Sequence, residues 1–204
     1  MDTAAVTQAT AGLLVANGIF VYMSPAKNLE LYGVKGATVD QVAYARYGAA
    51  LQLSSAAMLL AGAAGKGVSF VAGVSFTSSA VALLMSVPGF ELLGGPKEPI
   101  AVLIVALTLL GRFAREGKYI DGDLAIKIAL GFLGLCGAQF SFAPQTAIDM
   151  YKVKAPVTKL GKNLMKICGN QLLSAASYIY FANTHSAAVG LAAYLATGAT
   201  FVAK

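Results

Sequence analysis

The 204-residue chain has no tryptophan, a single histidine, two cysteines and only 12% charged residues. A soluble domain spends about a quarter of its residues on Asp, Glu, Lys and Arg to coat a wet surface, so water is not the main solvent of this chain. Two cysteines make no disulfide framework, and with one His and no Cys-x-x-Cys the usual zinc and haem attachment patterns are excluded. His-Glu-x-x-His, Gly-x-Ser-x-Gly and phosphate-loop sequences are missing, and no acid lies deep inside an apolar run. These absences argue against a catalyst and against an ion-coupled relay. The 15 Lys and Arg, against 9 Asp and Glu, fall in short clusters rather than along a continuous stripe, which excludes a nucleic-acid-binding face.

What is present is apolar: 57% hydrophobic residues and a mean hydropathy of +0.70. A helical span needs about 20 apolar residues, because each residue rises about 1.5 Å through a core about 30 Å thick. Seven segments come near that length, at 4–23, 41–64, 68–87, 99–113, 124–143, 164–182 and 187–203; the fourth and seventh are short. Their Ala, Leu and Gly run on without the period-two alternation of a barrel strand. The expected class is an all-α polytopic membrane bundle of about seven spans. Small residues let helix backbones approach where lipid gives no hydrophobic drive, and Gly131, Gly134 and Gly137 are expected to share one packing face.

Sliding the chain by 119 residues aligns its first quarter with its third. Gly12, Gly18, Pro25, Tyr32, Lys35 and Gln52 fall on Gly131, Gly137, Pro144, Tyr151, Lys154 and Gln171. A Pro, a Tyr, a Lys and a Gln shared at one offset indicate a duplicated unit. An even number of crossings separates the copies, so the repeat is parallel, with four spans in 1–118 and three in 119–204. The segments opened by Pro25 and Pro144 read as short interfacial helices, elbows between spans, on the Lys-rich face. That face collects Lys27, Lys35, Arg46, Lys97, Lys152, Lys154, Lys159, Lys162, Lys166 and Lys204, ten basic residues against five on the other. The bias sets the C-terminus on the stromal or cytosolic side. No Arg-rich presequence is readable at the start.

Polar groups inside spans are the candidate site residues. Gln52, Gln171, Asn170 and Gln139, with Asn17, are intramembrane amides whose first role is interhelical hydrogen bonding and whose second is to offer an oxygen to a pigment magnesium. His185 lies in a turn between the last two spans and is the strongest nitrogen donor in the chain. If chlorophyll or carotenoid binds at the periphery, His185 ranks first as axial ligand, followed by Gln52, Gln171, Asn170 and Gln139. No metal site beyond that is expected.

The run Pro25-x-x-x-Leu29-Glu30-Leu31-Tyr32-Gly33, followed by Ala45-Arg46-Tyr47-Gly48-Ala49 at the next span, resembles the small four-span DoxX-like membrane proteins. The resemblance covers about residues 4–113; the second copy departs from it, with Lys152 for the Gly and Met165 for the Arg. In its Ala- and Gly-rich character the chain is also similar to accessory subunits of photosystem supercomplexes in red-lineage algae. That likeness implies a non-catalytic structural or linker subunit of a photosynthetic thylakoid complex in a plastid, with membrane lipids and photosystem core or antenna proteins as partners. The alternative is a small-solute membrane carrier. The parallel repeat makes a direct prediction: cysteines introduced one at a time into 24–40 and 144–162 label with an impermeant maleimide from the same side of the membrane. Labelling from opposite sides removes it.

Overall fold

The computed structural model describes residues 2–200; Lys204 and the end of the seventh expected span lie outside them. Among the described residues every regular element is helical: α1 (Thr3–Met23), α2 (Pro25–Leu31), α3 (Val39–Ala63), α4 (Val68–Leu92), α5 (Lys97–Glu116), α6 (Gly122–Phe142), α7 (Pro144–Met150), α8 (Lys159–Thr184) and α9 (Ala187–Ala199). Three of them, α1, α4 and α6, are long and apolar enough to cross a membrane by length and composition. Each expected span falls on a helix. The fourth is longer than its apolar stretch, because Lys97, Glu98, Arg115 and Glu116 extend α5 to 20 residues.

Helix ends follow local chemistry. Asp2 and Asp121 cap α1 and α6 by accepting from the amides of Ala4 and Leu124, which satisfies donors that a helix start leaves free. Pro25 and Pro144 take the first position of α2 and α7, where a missing N–H costs nothing. Both short helices close in the same way. Gly33 (φ +82°) and Lys152 (φ +50°) adopt the left-handed conformation, and the next amides, of Val34 and Val153, return to the carbonyls of Leu29 and Ile148 at 3.1 Å. A lysine there is strained by about 1 kcal/mol relative to glycine.

α3 and α8 run side by side in the same direction at the centre, with α1 and α4 on α3 and α6 and α9 on α8; α5 packs on the outside of α4. Backbones touch where glycines meet. A Cβ on Gly137 would lie 2.9 Å from the Gly169 carbonyl, and one on Gly73 2.9 Å from that of Gly111. Gly131 and Gly134 stand in open space, contrary to the shared face expected of them. Three residues turn a helix 60° short of a full circle, so two such steps carry Gly131 well away from the contact that Gly137 makes.

The spacing between the elements that a duplication would pair is not uniform. Caps of α1 and α6, and of α4 and α9, are 119 residues apart, whereas Thr38 and Thr158, the caps of α3 and α8, are 120 apart. Packing agrees: Gly18 faces Ala49 and Leu53, while Gly137 faces Gly169 and Leu173. One extra residue sits between Tyr151 and Thr158. In this register Lys166, not Met165, stands where Arg46 does, and Gln52 stands opposite Leu172 rather than Gln171.

One end of the bundle gathers the elbows and most of the cations. The amides of Lys154 and Ala155 both donate to the Leu93 carbonyl at 3.0 Å, and the Tyr22 hydroxyl donates to the Met85 carbonyl. Asp40 ties the central pair together there. Its carboxylate is 3% exposed and accepts from the Thr158 amide at 2.8 Å, from the Thr158 hydroxyl at 2.7 Å and from the Thr38 hydroxyl, while the Gln41 amide donates to Thr158 Oγ1. Hydrogen bonds to a charged group contribute about 1.5–3 kcal/mol each. Asp40→Ala is therefore expected to lower stability by about 3 kcal/mol, and Asp40→Asn by less. Both are read from the unfolding midpoint in mixed micelles.

Candidate functional site

The largest polar concavity, about 360 Å³, lies between α1, α2, α3 and α8. Helical periodicity builds its walls. Tyr44, Gly48 and Gln52 repeat every four residues on one face of α3, and Leu160, Leu164, Cys168 and Gln171 line the facing side of α8. From α1 come Asn17 and Val21, and α2 lays Asn28, Leu29 and Tyr32 across the basic end. Gly48 keeps the space open: a Cβ there would come within 3.4 Å of Cys168 Sγ and 4.0 Å of Gln171 Oε1.

The polar groups are only half used. Asn17 Nδ2 donates to Gln52 Oε1 at 2.7 Å, a hydrogen bond between α1 and α3. The Tyr44 hydroxyl, on a side chain 2% exposed, and Gln171 Oε1 are buried with no hydrogen-bond partner. Leaving such a group unpaired costs about 1–3 kcal/mol, and most buried polar groups avoid it. Among the described residues no charged side chain lines the cavity.

Gln171 also lines a second, tight pocket of about 10 Å³ further along α3 and α8, together with Ser54, Ser55, Ser75 and Ser79. Ser54 and Ser78 share a hydrogen bond of 2.7 Å, and the Ser75 hydroxyl bonds to the Ala72 carbonyl. A polar seam thus runs along the central helix pair, with Gln171 at the junction of its two compartments.

Of the five residues singled out from sequence, the structure brings together Gln52 and Gln171 and leaves the other three apart. Asn170 is buried on the α9 side of α8, donates to the Gly198 carbonyl at 3.3 Å and has its own oxygen unpartnered. Gln139 donates to the Met150 sulfur, joining α6 to α7. His185 ends α8, is exposed, and shares a hydrogen bond of 2.8 Å with the Thr184 hydroxyl through Nδ1. Among the described residues no three His, Cys, Asp or Glu cluster as a metal site would require. Cys136 and Cys168 are both free. Sequence reading passed over Tyr44 and Asn28 and took Gly48 only as a packing glycine and part of a resemblance; the signal was the i, i+4, i+8 spacing of Tyr44, Gly48 and Gln52, an aromatic hydroxyl, a gap and an amide on one stripe.

In comparisons with known proteins, no family model, no curated protein and no solved structure matches the chain. The site is therefore read from its own chemistry. Gln52→Leu strands Asn17 in an apolar setting and is expected to lower stability by about 1 kcal/mol, whereas His185→Ala leaves the unfolding midpoint unchanged. Equal effects would place the two residues in one class.

Proposed function

We propose that this is an integral membrane protein crossing the bilayer seven times, through α1, α3, α4, α5, α6, α8 and α9, and that it carries a small solute rather than catalysing a reaction. On this reading α1, α3 and α4 form one half-unit, α6, α8 and α9 a second of the same orientation, and α5 connects them. The 119-residue spacing of caps and the matching elbows support a parallel duplication. Parallel repeats about an axis along the membrane normal, with polar groups near mid-depth, are an established plan among secondary carriers. The observation that carries the reading is Gln171, which borders both the large polar cavity and the serine-lined pocket beyond it. A solute passing along the seam would exchange hydrogen bonds with that amide.

A linker or structural subunit in a photosynthetic plastid membrane is the competing proposal, and one experiment addresses both. In sealed vesicles, with Cys136 and Cys168 replaced by alanine, an impermeant maleimide is expected to reach Ser75→Cys from both sides of the membrane as the cavity alternates. Labelling from one side only, or from neither, ends the carrier reading. Migration in native electrophoresis as part of a large pigmented complex would support the linker.

A further inference from the structure

The two half-units treat the same position in opposite ways. In the second half the corresponding space is divided into two pockets of about 10 and 50 Å³, with α3 and α4 in their walls, against a single cavity of about 360 Å³ in the first. Three substitutions account for the difference, at the registers established above: Val21 is matched by Phe140, Ala45 by Met165 and Asn28 by Ala147. Each exchange makes that space fuller or less polar. A fourth factor is the cover. Phe90 of α4 sits edge-on to Tyr47, which meets Phe140 in the same way, with ring centres 5.7 and 6.2 Å apart. The helix in the corresponding place in the first half is α9. Its 13 residues rise about 20 Å, whereas the 25 residues of α4 rise about 37 Å, and no α9 residue lines the large cavity. Ile167 at its edge is 49% exposed, so among the described residues the cleft opens sideways between α1 and α8.

We propose that the cleft between α1, α2, α3 and α8 is a single binding site for a small uncharged molecule that has an apolar body and a head able both to donate and to accept hydrogen bonds, entering from the bilayer. The site belongs to the carrier reading above but does not need transport to exist. Three features of the wall define the ligand. Among the described residues no charge lines the cleft, which selects against ions, whose hydration would be lost without replacement. Tyr44 and Gln171 both line the cleft; the Tyr44 hydroxyl, a donor, and Gln171 Oε1, an acceptor, are unpartnered and lie buried just behind its surface, where a turn of either side chain presents them to a guest. Around them Val21, Leu29 and Leu164 supply apolar surface. A volume of about 360 Å³ falls within the ordinary range of small-molecule pockets.

The second half supplies the test, because residues already packed there can be borrowed. Benzamide serves as the probe, with benzoate and acetophenone as controls of the same size that add a charge or lack the donor. Binding to the full chain in micelles is followed by ligand-observed NMR and equilibrium dialysis. Benzamide is expected to bind saturably, benzoate and acetophenone at least tenfold more weakly. Val21→Phe with Ala45→Met, which copies Phe140 and Met165, is expected to abolish binding. Should that pair unfold the protein, Tyr44→Phe removes one hydroxyl without changing volume and is expected to weaken benzamide about five- to tenfold. Equal binding by wild type and these variants, equal binding of benzamide and benzoate, or no saturable benzamide binding overturns the proposal. Saturable binding combined with one-sided labelling of Ser75→Cys leaves the site in place and removes the carrier, so the two failures are separable.

Discussion

A buried carboxylate at the basic end sets the register on which the bundle depends. Asp40 belongs to the first turn of α3, yet two of its hydrogen bonds reach across to the cap of α8. An acid held among helix N-termini is favoured by the unpaired amides and by the helix dipoles, and here it serves two helices at once. Sliding α8 by a single residue would carry Thr158 away and leave the charge with only the partners of its own helix start, Thr38 among them. That penalty is far steeper than any single apolar contact provides, so the carboxylate selects one arrangement from the many that smooth Ala- and Leu-rich surfaces would tolerate.

With the central pair fixed, small residues decide how closely the others approach. Gly18 lets α1 reach the Ala49 carbonyl, Gly137 and Gly169 let α6 and α8 touch, and Gly73 and Gly111 do the same for α4 and α5. Small side chains matter more than hydrophobicity where lipid competes equally for apolar surface. Tight contact of these pairs leaves space elsewhere. Facing the cavity, Ala45, Gly48 and Ala49 of α3 present little volume, and the same economy that packs α1 on α3 leaves α8 standing off from α1.

Helix positions were legible because apolar runs of span length leave few alternatives, and the elbows because Pro25 and Pro144 recur with Tyr32 and Tyr151 in step. Amide pairing was legible only as a tendency: nothing in the sequence names Asn17 as the partner of Gln52. The exposed state of His185 was hidden for another reason. A histidine after Asn183-Thr184 can turn toward a bundle or away from it, and a local bond to the Thr184 hydroxyl leaves no mark in composition. Glycines misled where counting replaced geometry, since spacing by three drifts around a helix while contact at a crossing is a single point.

Counting from the helix caps explains why two glutamines at one sequence offset do different work: Gln52 lies 14 residues after Thr38 and Gln171 13 after Thr158. One residue advances a helix by about 100°. One place further along, where Leu172 stands, a glutamine would meet Cys136, the residue 119 positions after Asn17, and find no amide to bond. Gln171, one residue short of that place, turns instead into the seam between α3 and α8 and borders both polar compartments. Leu172 takes the α6-facing position and lines a mostly apolar pocket of about 50 Å³ with Cys136 and Phe140. The register of α8 that brings Thr158 to Asp40 therefore also sets Gln171 between the two polar compartments.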